Sequence, residues 1–185
     1  MPLPWRPELR SPLSDAEVRD AERELGVVFP GEYREYLLRR NGEGRVNRLR
    51  RGAAGWGWEG DSRTDLALLG TDFPHPDSYR DDEDRLDARE PQREDFADED
   101  AYGTAWQRWD DECGVLQDRK TAGAVHIQGK GCGFATLLVL TGPHRGEMWF
   151  DARATCDLIL PMRLGREPVS FAQWFARGCE TLGVW

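Results

Sequence analysis

Four cysteines, three histidines and one dense run of carboxylates are the side chains in this 185-residue chain whose types lend themselves to chemistry. Cys132 sits in "GKGCGFA" and would need His126 or His144 as a base to act as a nucleophile. No local cysteine-protease signature surrounds it, and a small side chain in a glycine-rich tight turn is the favoured reading. Cys113, Cys132, Cys156 and Cys179 lie far apart in the chain, without a C-x-x-C pair, so no zinc site is expected. His75, His126 and His144 show no H-E-x-x-H spacing, and His144 is expected to be exposed in a hairpin loop. "DDEDRLDARE" invites a calcium loop. Starting at Asp82, Asp84 falls at position 3, but Leu86 and Asp87 fall where a ligand and the turning glycine belong. "QGKGCGF" lacks the spacing of a phosphate-binding loop. No metal, cofactor or catalytic residue is expected. An enzyme built on Cys132 is the remotest of three functional readings.

Charge is the stronger signal. The net charge is −9, yet residues 72 to 112 hold 16 Asp/Glu against 5 Arg, while the rest holds 18 acids and 20 bases. One segment therefore carries the acidity. It repels a phosphate backbone, which argues against nucleic acid, and it complements a basic partner. On charge pattern alone the run reads as a solvated, extended face before it reads as a binding surface. No charged and apolar leader pattern and no apolar run near ~18 residues is present, so a cytoplasmic, membrane-free protein with reduced thiols is expected.

The elements that must position these residues are legible in part. Hydrophobic residues make up 39% of the chain, and eight Trp and seven Phe argue for a packed core. Residues 1 to 12 are Pro-rich and expected to be extended, with Trp5 free to tuck against the body. In "LSDAEV", Ser14 and Glu17 form a capping box, and Leu13 and Val18 a hydrophobic staple. Val18, Ala21 and Leu25 line one helical face, and Gly26 ends the helix. Val27, Val28 and Phe29 are expected to plug the core. Pro30-Gly31 turns the chain into a helix from Glu32 to Arg40, with Tyr33, Tyr36 and Leu37 on one face, closed by Asn41-Gly42 in positive φ. A basic patch, Arg45 to Arg51, follows. "GAAGWGWEG" and "DLALLG" read as short strands. Trp56 and Trp58 alternate onto one face, for core packing or for stacking a sugar or peptide.

Residues 71 to 112 form an acidic insertion, mostly loop, with helical potential at Asp81 to Glu90 and Asp98 to Glu112, where Tyr102, Trp106 and Trp109 are spaced i, i+4, i+7. Strands follow at "AVHIQG", "FATLLVLTG" and Glu147 to Asp151, with Gly142 to Gly146 as a hairpin loop and "LILPM" as a further extended run. Ser170 caps a last helix with Phe171, Trp174, Phe175 and Leu182 on its apolar side, and Val169 and Trp174 repeat the staple.

"LSDAEVRDAERELGVVFPGEYREYLLRRNGEG" resembles the opening signature of the SUKH superfamily, the fungal cell-wall-synthesis regulators and bacterial toxin-immunity proteins. The resemblance rests on Leu25-Gly26, Val28-Phe29, Pro30, Tyr33, Leu37 and Asn41-Gly42. "GCGFATLLVLTGPHRGEMWFDARA" and "SFAQWF" are similar to later blocks of a bacterial branch, while the acidic insertion is not explained by the family pattern. The resemblance implies one α+β domain over residues 1–185: a helical hairpin and a C-terminal helix packed on a central, mostly antiparallel sheet. It also implies no catalytic residues, and a role in binding and blocking a toxin, often a nuclease or deaminase. The physical reading agrees. An acidic surface at Asp81, Asp82, Glu83, Asp84, Asp98, Glu99 and Asp100 can occupy a basic cleft with fast, salt-sensitive association. Tyr102, Trp106 and Trp109 can anchor it. The expected protein is a monomer or weak homodimer whose partner is a basic toxin domain. The alternative is a regulatory or scaffolding module with a non-toxin partner.

Overall fold

The computed structural model describes residues 12–184, so the expectations for the first eleven residues, Trp5 included, lie outside the described residues. Helix α1, Asp15–Leu25, starts at the anticipated capping box. The Ser14 side chain accepts from the Glu17 N–H, Glu17 accepts from the Ser14 N–H, and Gly26 closes the helix at φ 70°. Helix α2, Gly31–Arg40, turns its Tyr33, Tyr36 and Leu37 inward. The linker divides its work. Val27 and Phe29 are buried, but Val28 is 68% exposed. Successive side chains of an extended segment point to opposite sides, and only one side meets the core.

Of the closing pair, Gly42 takes the expected positive φ, 83°, while Asn41 sits at φ −40°. It is fully buried, and its amide donates to the Leu49 carbonyl and accepts from the Leu49 N–H. That exchange docks strand β1, Leu49–Gly52, and engages the side chain's donor and acceptor ends at once. β1 pairs antiparallel with β2, Gly55–Trp58. Part of the basic patch is therefore a strand, and Arg51 pairs with Asp20 and Glu24 of α1. Trp56 and Trp58 are core residues. Trp58 Nε1 donates to Tyr33 Oη at 2.7 Å, and Trp56 Nε1 to Asp20 at 2.8 Å. "DLALLG" is no strand. The Asp65 carboxylate accepts from the Ala67 N–H and caps a 3₁₀ turn, Leu66–Leu68, the local bonding that takes short Asp-led stretches out of strands.

The central sheet is antiparallel, in the order β3 (Ala124–Gly131), β4 (Phe134–Val139), β5 (Met148–Asp151) and β6 (Ile159–Pro161). β3 and β4 meet at a two-residue turn, Cys132 and Gly133, both at positive φ (50° and 82°). A tight hairpin with the native strand twist requires that conformation. One sheet face, with Val125, Ile127, Leu138, Met148 and Phe150, packs on the helices through Phe29, Tyr33 and Leu37. The other face carries Ala124, Leu137, Val139, Trp149 and Ile159 and is covered by Phe73 from the start of the insertion.

After β5 come a short helix α5 (Arg153–Cys156), β6, the two-residue pair β7 (Arg163–Leu164) and β8 (Glu167–Pro168), and α6, Phe171–Ala176. The capping box of α6 is formed by Ser170 and Gln173, and Val169 and Trp174 are wholly buried. Leu182 lies beyond this helix. Its carbonyl accepts from the Arg163 N–H, so it reaches the core from an extended tail. The blocks of sequence that carried the family resemblance touch in space: the Arg145 guanidinium donates to the carbonyls of Val28 and Phe29 at 3.0 and 2.7 Å. The α+β class, the N-terminal helical hairpin and the antiparallel sheet stand as expected. No helix among the described residues is long and apolar enough to cross a membrane.

Candidate functional site

The acidic segment is folded. Like charges do not hold it extended: α3 spans Arg80–Asp87 and α4 Glu99–Arg119. α4 has 21 residues. At the helical rise per residue it is about 30 Å long. The common core of the two helices is small, with Tyr79, Leu86 and Leu116 buried and Trp109 and Cys113 against them. Local ion pairs offset the repulsion, among them Arg85–Asp82 at 2.5 Å, Arg89–Glu112 at 2.9 Å and Arg93–Glu99 at 2.6 Å. Asp98 caps α4, accepting from the Ala101 N–H at 2.8 Å. The carboxylates of the first turn, Glu99 and Asp100, favour the positive end of the helix dipole.

One contact closes α3 on the C-terminal cap of α4, and two more fix this hairpin to the body. Lys120, 1% exposed, pairs with Glu83 and lies 5.4 Å from the Tyr79 ring centre. Burial pushes the Tyr79 phenol up to about 12, so the ring stays neutral beside the lysine. Arg153 donates to the Gln117 carbonyl at 2.7 Å, a cation at the C-terminal end of α4. At the stem, Thr141 Oγ1 donates to the Thr71 carbonyl at 2.5 Å, and Gly123 passes so close that a β-carbon there would stand 2.2 Å from that carbonyl.

The hairpin sorts the expected binding residues into two groups. Asp81, Asp84, Asp100 and Trp106 face solvent. Asp82 is held by Arg85, Glu83 by Lys120 and Glu99 by Arg93, and Asp98 is a helix cap. Trp109 packs inward, its Nε1 donating to the Leu86 carbonyl at 2.9 Å. Tyr102 lies 5.9 Å from Phe96, with the Arg93 guanidinium 6.0 Å from its ring centre. Sequence reasoning missed the structural roles of Lys120 and Arg153, and the exposed Asp110, Asp111 and Val115 on α4. A helical projection carried through to Arg119 would have placed the last three; Lys120, one of two lysines in the chain, offered only its rarity.

The residues weighed for chemistry are placed differently. Cys132 is exposed at the hairpin tip, where the fold uses it as a turn residue. His126 faces Asp151 and Thr64 instead, with Nε2 3.3 Å from the carboxylate and Nδ1 3.4 Å from the hydroxyl. Hydroxyl, imidazole and carboxylate in a row have the outline of a nucleophile relay. The surroundings make it a clamp. Thr64 Oγ1 accepts the His126 backbone N–H at 2.9 Å, and wholly buried Asp151 takes two bonds from the Arg153 guanidinium, at 2.9 and 3.0 Å, one from the Arg153 backbone N–H at 3.2 Å and one from Arg63 at 2.5 Å. Burial alone would raise the Asp151 pKa; the bond from His126 and the guanidinium of Arg153 outweigh it and hold the carboxyl well below its ordinary range. His144 is no bare loop residue. It is half-buried, 3.1 Å from Glu147 and 5.3 Å from the Trp149 ring, and His75 packs 5.7 Å from it. No group of three or more His, Cys, Asp or Glu among the described residues is placed to hold a metal ion.

Comparison with known proteins gives three findings. No solved structure matches the chain. An uncharacterized protein of Bacillus subtilis (strain 168), YnaB, is 48% identical over 33 residues, 18% of this chain and 23% of that protein's length. The matched stretch thus spans about a quarter of that curated relative. The sequence model of the SMI1 / KNR4 family (SUKH-1) matches residues 12–150, a span that takes in both helices of the N-terminal hairpin, the acidic segment and most of the sheet. With most of its length matched, the chain belongs to the SMI1 / KNR4 family (SUKH-1).

Proposed function

We propose that this protein is a non-enzymatic binding module of the immunity class, and that the outward face of its α3–α4 hairpin occupies the basic surface of a toxin domain of nuclease or deaminase type. One observation carries the reading: the acidic segment folds so as to display its charge. Of its 16 carboxylates, those of Asp77, Asp82, Glu83, Glu99 and Glu112 sit in ion pairs, and Asp98 is a cap. Asp81, Asp84, Asp87, Glu90, Asp100, Asp110 and Asp111 are exposed without an ion pair among the described residues. Helices fix all of these charges but Glu90 on one scaffold, and a fixed field steers a basic partner at low entropic cost. The family's association with immunity and regulation supports a partner that is a protein.

Co-expression with the toxin encoded beside this gene tests the reading: the toxin's killing is expected to be suppressed. Asp81→Asn with Asp84→Asn leaves the fold intact and slows association several-fold, most strongly at low salt, as stopped-flow mixing would register. Undiminished killing, together with recovery of a housekeeping protein by pull-down, would move the assignment to a regulatory scaffold.

A further inference from the structure

The exposed face of Trp106 is the place where the structure is ready for one particular side chain. Trp106 is the large aromatic residue left 38% exposed on α4, 6.2 Å from inward-packed Trp109. It lies on the half of α4 that overhangs α3. Trp109 reaches the last turn of α3 at Leu86, and the connecting segment meets the start of α4 through Phe96 against Tyr102 and Arg93 against Glu99.

Along the helix, Asp110 stands one turn beyond Trp106 at i+4, Glu99 two turns before it at i−7, and Gly103 between them at i−3. By the 3.6-residue repeat all three fall on the same flank of the Trp106 ring. A side chain in this position leans over the turn N-terminal to its own Cα, toward Gly103. A β-carbon at Gly103 would meet nothing within 4 Å. Glu99 is taken by Arg93, so Asp110 is the carboxylate left on that flank of the ring, with open space beside it at Gly103.

The chain itself demonstrates what such a surface accepts. One turn away, the Arg93 guanidinium lies 6.0 Å from the Tyr102 ring centre while its Nε donates to Glu99 at 2.6 Å. An arginine there takes an aromatic face and a carboxylate together. Tryptophan is the better ring for the same contact, and a planar guanidinium stacks where an ammonium does not.

Resting on the reading of this protein as a binder of a basic domain, we propose that Trp106, flanked by Asp110 and open over Gly103, is the anchor point for an arginine side chain of the partner. The electron-rich ring face takes the cation, Asp110 takes a hydrogen bond from it, and the absence of a side chain at residue 103 admits its stem. The remaining carboxylates of α3 and α4 steer the approach.

The test uses the full chain and capped hexa-arginine, hexa-lysine and hexa-glutamate peptides, followed through the indole N–H resonance of Trp106, assigned by its loss in Trp106→Phe. Hexa-arginine is expected to shift that resonance saturably, hexa-lysine more weakly and hexa-glutamate not at all. Trp106→Ala should weaken hexa-arginine binding about threefold to tenfold, Asp110→Asn by less, and Gly103→Gln by blocking the stem, all with unchanged melting temperature or a small change from helix propensity. Equal binding to wild type and Trp106→Ala, or equal shifts from arginine and lysine peptides, overturns the anchor. The two readings fail separately. If wild type and Trp106→Ala both bind and block the toxin with equal affinity, the anchor is wrong and the immunity function stands. If the arginine peptide binds at Trp106 but no toxin is blocked, the anchor stands and the immunity function is wrong.

Discussion

The body and the acidic hairpin of this protein are built by opposite rules. In the body, a sheet with apolar side chains on both faces is packed against α1, α2 and α6 on one side and Phe73 on the other, and its polar interior residues, Asn41, His126 and Asp151, are bound by several partners each. In the hairpin, a 21-residue helix buries one side chain, Leu116, and leans on an eight-residue neighbour. A helix polar on nearly all sides draws its stability from caps, i,i+3 and i,i+4 pairs and a few tertiary ties rather than from burial. The difference teaches what each part of the sequence is for: the body makes a fixed frame, and the hairpin makes a charged surface that the frame holds in position.

Breaking the frame should cost most. Asp151→Ala leaves Arg153 and His126 facing each other without their anion. It is expected to destabilise the whole protein by about 3–5 kcal/mol, measurable by urea unfolding. The same group sets an acid limit. Its pKa lies below the ordinary 3.8 in the folded state, so the folded form stays ionised where the unfolded chain binds a proton. Its contribution is complete above about pH 4–5 and is lost as pH falls further. Asp151→Asn should flatten that part of the stability–pH curve.

Cutting one tie of the hairpin should cost less and stay local. Lys120→Met removes the buried cation that holds Glu83. The expected cost is about 2 kcal/mol. Hydrogen exchange should speed up in α3 and α4 while β4 and β5 keep their protection. Equal loss in both regions would mean that the hairpin is as integral to folding as the sheet. The smallest effect has the opposite sign. Gly114 lies in the interior of α4, with nothing within 4 Å of an added methyl. Gly114→Ala should stabilise the hairpin by about 0.5–1 kcal/mol and raise the melting temperature slightly.

Local chemistry was readable wherever it was self-contained. Ser14, Glu17 and Gly26 bound α1 through bonds that close within a turn, and Ser170 with Gln173 does the same for α6. The i, i+4, i+7 spacing of Tyr102, Trp106 and Trp109 foretold a helix in the insertion. Its end at Arg119 lies beyond the expected Glu112, because Leu116 and Lys120 extend the buried stripe past the last aromatic residue. The departures lie where composition allows two local arrangements and the fold selects one. Val28 reads as core and is turned outward by the burial of Val27 and Phe29. "DLALLG" has strand-like composition, but the Asp65 cap wins.

For the candidate site, sequence alone determined the composition: where the acids are, that aromatics lie among them, and that no metal or catalytic spacing accompanies them. The family, too, was written in Leu25-Gly26, Pro30 and Asn41-Gly42, because turns and caps depend on residue type at fixed offsets. Only the tertiary structure decided which carboxylates are held in ion pairs and which stand clear of them, why Trp106 is open and Trp109 closed, and that His126 serves Asp151 rather than Cys132. Those outcomes rest on contacts between residues far apart in the chain, such as Glu83 with Lys120 and Asp151 with His126. No local pattern encodes a pairing that forms only once distant segments of the chain have come together.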